Sequence, residues 1–321
     1  MIVDCHMHSW RYPDHFIRDV FMAAQPPKLV ETWTDEQWKA AFDNPIENYL
    51  KEMEGVVDKA IIWGGDYSKS MGINIPNEYI ADIVKRYPDK FVGGGNVNVV
   101  EEGAAKEVER CKKELGLIAI GELGPAYQFF YPHDEKCFPV WEKCQELDMP
   151  VCIHDGLSRP RLARLIFSDA RYIDEVAITF PKLKIIIAHL GFHRYEDYIN
   201  LLYKHENIYA DISMIASIAG LDRRAVSKRF PLVDFGYYYN FLQPLTYYFT
   251  QTWGFVDKLL FGTDWTACSP KRLLEILKDL PYMARKLNMP EIPEQAIHNI
   301  IYENWKRVFP NLATESGKAS K

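Results

Sequence analysis

Short apolar runs rich in β-branched residues alternate with stretches of helical periodicity along the whole chain. This alternation is typical of parallel strands joined by helices. The pattern predicts eight strands: Ile2–Cys5, Lys59–Trp63, Phe91–Val97, Leu117–Leu123, Pro150–Ile153, Leu183–Ala188, Ile208–Ile212 and Lys258–Gly262. The third is the weakest, because its glycines disfavour a strand interior. Eight such units in 321 residues predict an α/β fold, a (β/α)8 TIM barrel.

Two connections are too long to be simple crossovers between strands. They are Ser9–Val57 and Ser213–Val256, and they predict insertions after strands one and seven. Insertions of this kind lie at the carboxyl end of a barrel, where their many aromatic residues would form walls or lids of a pocket. Core packing or a subunit interface would explain the same aromatics equally well. We expect one barrel domain over residues 1–310 and a polar tail over residues 311–321.

Three helices are predicted from their apolar stripes or their capping residues: Glu101–Leu115, Ser269–Leu280 and Ile297–Val308.

The composition limits the classes of function that this chain can have. Hydrophobic residues make up 48% of it, which is enough for a large core. A net charge of −6 gives no basic face for nucleic acid. No apolar run approaches the roughly 20 residues of a membrane span. We therefore expect a cytoplasmic protein that binds neither nucleic acid nor a membrane. The six cysteines form no C-x-x-C pair, which favours buried free thiols over disulfides.

Side chains able to bind metal close several of the predicted strands. His6 and His8 stand two positions apart after strand one, a spacing that directs both rings to one face. His154 ends the fifth strand, His189 ends the sixth, and Asp264 follows the eighth. One histidine after an apolar strand is more often structural than a ligand. Five such residues at strand ends reverse that preference, because they would converge on the barrel axis.

These residues resemble the motifs of the amidohydrolase superfamily, through the H-x-H, the two later histidines and the G-T-D ending at Asp264. The segments Tyr127–Pro132, Phe138–Leu147 and Pro150–His154 resemble its amidohydrolase-2 branch. That branch contains aminocarboxymuconate semialdehyde decarboxylase, related decarboxylases of aromatic acids, hydratases and hydrolases. The resemblance also implies that a homodimer is possible.

The same resemblance implies a ligand set for a divalent ion, namely His6, His8, His154 and Asp264. His189 would then lie beside the ligands or act as an acid or base. Nitrogen and carboxylate ligands with an open position suit catalytic Zn²⁺, and Mn²⁺ is the alternative. One ion is expected in preference to two.

Glu122 closes the fourth strand, where the resemblance offers a further role. In the phosphotriesterase-like and TatD-type branches a glutamate at this place bridges two metal ions. If Glu122 reaches the ion, a binuclear hydrolytic site becomes credible. Otherwise it is a base beside the ligands or a substrate contact.

Weaker candidates for substrate contacts lie close to the predicted ligands. Arg159 and Arg161 follow His154, and a guanidinium there would suit a substrate carboxylate, although an exposed loop position explains each as well. His193 would join the site or cap the next helix. Trp10 and Trp265 would stack on a planar substrate or pack in the core.

Three functions are compatible with this set of residues. The first is non-oxidative decarboxylation of an aromatic or unsaturated carboxylic acid, with Asp264 or His189 delivering a proton. The second is hydrolysis of an amide, lactone or ester, or hydration of an alkene, with Asp264 taking a proton from water. The third, a metal-binding protein without activity, does not explain so many ligands at strand ends. Decarboxylation is the first expectation, and the substrate would be a small carboxylic acid.

Overall fold

The computed structural model describes residues 1–156, 158–218, 221, 233–252 and 257–312. Ten strands form within these ranges: β1 Val3–Met7, β2 Lys59–Trp63, β3 Gly65–Tyr67, β4 Ile73–Ile75, β5 Phe91–Gly95, β6 Ala119–Leu123, β7 Val151–Ile153, β8 Ile185–Ile187, β9 Ile208–Asp211 and β10 Leu259–Leu260.

Eight of the strands form one parallel sheet in the order β1-β2-β5-β6-β7-β8-β9-β10. The sheet closes on itself because the Cys5 amide donates to the Phe261 carbonyl at 2.8 Å and the His8 amide donates to the Trp265 carbonyl at 3.1 Å. Every predicted strand is present, and the predicted TIM barrel is confirmed. The antiparallel hairpin β3–β4, which follows β2, was not predicted.

The glycines of β5 have a packing reason. A Cβ on Gly94 would lie 2.2 Å from the Trp63 ring, so only glycine allows that indole to fill the barrel interior. The glycines that made β5 look weak as a strand are therefore needed to leave space for the Trp63 side chain of the neighbouring strand β2.

Sixteen α-helices lie within the described ranges: α1 Arg18–Ala24, α2 Pro27–Thr32, α3 Asp35–Phe42, α4 Ile46–Met53, α5 Asn77–Arg86, α6 Ala104–Lys113, α7 Pro125–Gln128, α8 Phe138–Glu146, α9 Ala170–Thr179, α10 Tyr195–Lys204, α11 Ile215–Ile218, α12 Val233–Tyr237, α13 Gln243–Gln251, α14 Pro270–Lys286, α15 Glu294–Tyr302 and α16 Trp305–Val308. None of them is both long and apolar enough to cross a membrane.

Two predicted helices differ from those observed. α14 continues six residues beyond the expected end at Leu280, with Pro281 inside it, because Met283 and Ala284 still bury their side chains. The predicted last helix is divided into α15 and α16.

The hydrophobic core has two main parts. One lies between the barrel and its helices, and the other fills the barrel interior. Trp305, Val308, Phe309 and Leu312 close the floor of that interior at the end opposite the carboxyl ends of the strands. All six cysteines are free and buried, as expected.

Both predicted insertions are present. The insertion after β1 carries α1–α4 and has its own aromatic cluster around Tyr12, Phe21 and Trp38. The insertion after β9 carries α11–α13, with Tyr237 and Tyr248 buried in the core and Tyr239 exposed. Residues 222–232 of that insertion, and residues 313–321 of the predicted tail, lie outside the described residues.

Candidate metal centre

His6 and His8 meet at the mouth of the barrel. The pairing of β1 with β2 shifts register between Asp4 and Met7. The two Nε2 atoms lie 3.2 Å apart. His8 Nδ1 is 3.0 Å from the Trp63 carbonyl oxygen, which can only accept. Nδ1 therefore carries the proton, and the Nε2 lone pair of His8 faces the site.

His154 and His189 form a second pair on the adjacent strands β7 and β8. His189 Nε2 lies 3.2 Å from His154 Nδ1. His154 Nε2 lies 2.8 Å from the Tyr127 hydroxyl. All four rings are buried, so their nitrogens are shielded from bulk water.

The Glu122 carboxylate lies between the two histidine pairs. Its Oε1 is 2.9 Å from His154 Nδ1 and 3.5 Å from His189 Nε2. Its Oε2 is 3.4 Å from His8 Nε2, and Oε1 is 3.7 Å from His6 Nε2. Glu122 is therefore shared by two potential ligand groups, one with His6 and His8 and the other with His154 and His189.

Electrostatics favour a cation at this centre. Burial alone would raise the pKa of Glu122, but the imidazoles of His154 and His6 hold it well below its ordinary value. Burial would lower the pKa of His6, but Asp211 and Glu122 raise it well above its ordinary value. The carboxylates thus stabilise positive charge where a divalent ion would lie.

Asp264 lies on the side of His6 and His8. Its Oδ1 is 3.6 Å from His8 Nε2 and 4.0 Å from His6 Nε2. The residue adopts a left-handed backbone with φ of 51°, and its amide donates to the His6 carbonyl at 2.7 Å. This hydrogen bond joins the end of the last strand to the H-x-H segment.

The spacing of these atoms fits metal binding. A tetrahedral ion with bonds of about 2.0–2.1 Å holds its ligand atoms about 3.3 Å apart. The distances within the His6, His8 and Glu122 group run from 3.2 to 3.7 Å. Those within the Glu122, His154 and His189 group run from 2.9 to 3.5 Å. Both groups suit a small divalent ion without rearrangement of the backbone.

A third group, made of His6, Cys152 and Asp211, is a weaker candidate for a metal site. Burial raises the pKa of the Cys152 thiol to about 12, so it stays protonated near neutral pH. His6 uses Nδ1 for Asp211 at 2.8 Å, which leaves Nε2 for the Glu122 side.

A cavity of about 620 Å³ lies at the carboxyl ends of the strands, lined by Tyr127, His154 and apolar residues of the first insertion. Arg159 and Arg161 also line it. Arg161 donates to the Ala23 carbonyl at 2.7 Å, so it ties the loop after β7 to α1. Arg159 is exposed, with no ion pair to another described residue.

The other predicted contacts fall in different surroundings. His193 is exposed beside Phe192. The Trp10 ring lies 5.9 Å from that of His8. Trp265 is buried and packs edge-on against Tyr49, which favours the core role for this tryptophan.

Four residues that contact the proposed ligands were not predicted from the sequence as site residues. Tyr67 donates to Glu122 Oε2 at 2.8 Å. Asp211 contacts His6, and Ser213 contacts His189. Tyr127, which contacts His154, was noticed only as part of a motif. Asp211 did carry a signal, since an aspartate at the end of an apolar strand requires partners when buried.

The barrel and its ring of histidines and carboxylates agree with an enzyme of the amidohydrolase superfamily, and the chain belongs to the amidohydrolase family, whose model matches residues 3–310. The resemblance inferred from the strand-end motifs is therefore confirmed.

Relatives within the family differ in reaction. The chain is 29% identical over 141 residues to a γ-resorcylate decarboxylase of Polaromonas, covering 36% of this chain and 43% of that protein. It is 26% identical over 230 residues to a 2-keto-4-carboxy-3-hexenedioate hydratase of Sphingobium, covering 60% and 65%. The matched segments thus span less than two thirds of these relatives' own lengths.

A solved structure extends the likeness to the whole fold. A 5-carboxyvanillate decarboxylase variant of Novosphingobium aromaticivorans, holding manganese and a nitro-substituted benzoic acid, has a TM-score of 0.61 at 15% identity. The match covers 97% of both chains. Members of the family thus bind a divalent metal and act on small carboxylic acids.

Proposed function

We propose that this enzyme uses two divalent ions to add water to a small carboxylic acid, as a hydrolase or hydratase. The observation that carries the proposal is the position of Glu122, whose two carboxylate oxygens lie within 3.7 Å of His6, His8, His154 and His189. A carboxylate shared by two ligand groups suits a pair of ions, and paired ions are typical of water-activating sites.

In this proposal His6, His8 and Asp264 would hold one ion, His154 and His189 would hold the other, and Glu122 would contribute to both groups. The ions would supply Lewis acidity and lower the pKa of water towards neutrality. Zn²⁺ and Mn²⁺ both suit this donor set. Two ions replace the single ion expected from sequence, and His189 becomes a ligand instead of a proton donor.

Asp264 is the proposed proton acceptor. Its side chain is 18% exposed, more than that of the buried Glu122, so water can reach the carboxylate beside His8. A carboxylate at this place can take the proton of the attacking water and later return it to the leaving atom.

Arg159 is the proposed partner of the substrate carboxylate. It lines the cavity with His154, and Arg161 is already bonded to Ala23. A guanidinium binds a carboxylate with two parallel hydrogen bonds, which would orient the substrate towards the histidines. Trp10 lies near His8 and is a further candidate contact, whereas His193 and Trp265 have weaker support.

Decarboxylation of an aromatic acid is the second candidate. It is supported by the decarboxylases among the relatives and by the apolar side chains of Phe42, Met71 and Met214 in the cavity, which suit a planar ring. In that case Asp264 or His189 would deliver a proton to the carbon that loses carbon dioxide.

One experiment separates the two reactions. Protein loaded with Zn²⁺ or Mn²⁺ is assayed for metal content, then incubated in ¹⁸O-labelled water with aromatic acids, unsaturated acids, lactones and amides. We expect two ions per chain and a product that gains one labelled water without releasing carbon dioxide. Release of carbon dioxide with one ion per chain would establish the second candidate instead. Glu122→Gln should lose metal, while His133→Gln, which changes a histidine outside the centre, should retain it.

A further inference from the structure

Asp211 lies beneath both histidine pairs at the end of β9. Its side chain is fully buried. Oδ2 lies 2.8 Å from His6 Nδ1. Oδ1 accepts from the backbone amides of His189 at 3.1 Å and Ser213 at 3.0 Å. One carboxylate therefore contacts one histidine of each pair.

Ser213 extends this contact to the second ring. Its hydroxyl donates to Asp211 Oδ1, and its oxygen lies 2.7 Å from His189 Nδ1. Asp211 Oδ1 accepts three hydrogen bonds, as an ionised carboxylate does, and an ionised carboxylate can only accept. A serine hydroxyl has one proton, and here Asp211 takes it.

Counting protons then assigns both rings. Because the Ser213 proton goes to Asp211, His189 Nδ1 must carry its own proton and donate it to the Ser213 oxygen. His6 Nδ1 must likewise donate to Asp211 Oδ2. In the neutral form of both rings, which binds metal, the lone pair is then on Nε2, the atom that faces Glu122 at 3.7 Å from His6 and 3.5 Å from His189.

We infer that Asp211 is a common positioning residue that fixes the Nε2-ligating tautomer of one histidine in each half of the centre, directly for His6 and through Ser213 for His189. The inference rests on the proposed two-ion site. A general structural role would not predict different effects on the two halves of the centre. Here Asp211 acts on both halves, whereas Ser213 acts on only one. Partners of this kind typically change metal affinity by roughly 10–100-fold.

The test is calorimetric titration of Zn²⁺ into metal-free protein, with thermal unfolding of the metal-free protein measured in parallel. Asp211→Asn places an amide donor near His6 Nδ1 and so favours the opposite tautomer. Because Asn keeps an oxygen for the Ser213 hydroxyl, we expect it to weaken the binding step of the His6 group by about tenfold or more, whereas Asp211→Ala, which removes both oxygens, should weaken both steps. Ser213→Ala should weaken one step by about tenfold and leave the other within about threefold. Ser70→Ala removes another buried hydroxyl and should titrate like the wild type.

Equal affinities in Asp211→Asn and the wild type would overturn the inference, as would equal weakening of both steps in Ser213→Ala. If Asp211→Asn does not fold, the comparison of Ser213→Ala with Ser70→Ala still decides it. Uptake of a single ion by the wild type would refute the two-ion proposal separately. Loss of that ion's affinity in Asp211→Asn would still support the positioning role.

Discussion

Asp4 offers a sharp test of how the metal centre is held together. Its buried carboxylate accepts four hydrogen bonds. Oδ1 accepts from the backbone amides of His6 at 3.1 Å and Thr263 at 3.0 Å. Oδ2 accepts from the hydroxyls of Tyr49 and Thr263, both at 2.6 Å. Through these hydrogen bonds, Asp4 links the strand that carries His6 to the loop that carries Asp264.

Two substitutions at this position should differ widely in effect. Asp4→Ala leaves two buried amides without an acceptor, at about 1–3 kcal/mol each, so we expect a loss of about 4 kcal/mol. Asp4→Asn keeps an oxygen for the amides, and its NH₂ group can donate to the hydroxyl oxygens. The Thr263 hydroxyl can then turn to the His6 carbonyl, 3.4 Å away. The cost should stay below about 1.5 kcal/mol, one ordinary hydrogen bond.

Calorimetric unfolding of the metal-free variants measures the difference. At about 2 °C per kcal/mol for a chain of this size, Asp4→Ala should lower Tm by about 8 °C. Asp4→Asn should lower it by at most about 3 °C on the same scale. Equal shifts for the two variants would refute the reasoning, because the missing hydrogen bonds would then not account for the loss.

Other consequences of the structure are also measurable. Trp305→Ala should cost about 4 kcal/mol by opening a void in the barrel floor, as measured by denaturant unfolding, without changing metal content. Removal of the ions with a chelator should lower Tm, and Zn²⁺ or Mn²⁺ at one hundred times Kd should restore about 2.7 kcal/mol of stability for each bound ion. Arg159→Met should raise KM for a carboxylate substrate by about tenfold with little change in kcat, whereas Arg161→Met should change KM much less. A hydrogen bond from Arg171 lowers the pKa of Asp169 to about 2, so stabilisation by this pair is present above pH 3.8 and is lost as the pH falls from 3.8 through about 2. Because Arg171 is 84% exposed, Asp169→Asn should destabilise the protein only slightly at pH 7 and not at all well below pH 2 in unfolding measurements.

The barrel was predictable because its strands carry a strong local signal. Runs such as Lys59–Trp63 and Ile208–Asp211 are apolar and β-branched, and they lie where the pattern predicted them. Three-residue strands such as Gly65–Tyr67 carry too little pattern to be recognised. Helix ends depend on tertiary packing, which is why α14 continues through Pro281.

The candidate ligands were predictable for a related reason. A polar residue at the carboxyl end of a barrel strand is visible in sequence, as with His6, His154 and Asp264. The roles of Asp211 and Ser213 depend on which nitrogen of a ring each one contacts, and no linear pattern encodes that. The position of Glu122 between the histidine pairs likewise became evident only from the distances.

The hydrogen bond between Asp4 and Thr263 joins residues 259 positions apart, and it lies next to the proposed ligands. Contacts so distant in sequence carry a large loop-closure cost and form late, when most of the chain has folded. During synthesis, His6 and His8 would therefore be made long before Asp264, and the three residues could come together only after nearly the whole barrel had been synthesised. Fragments that stop short of β10 should consequently fail to retain metal, even though they contain every histidine of the centre.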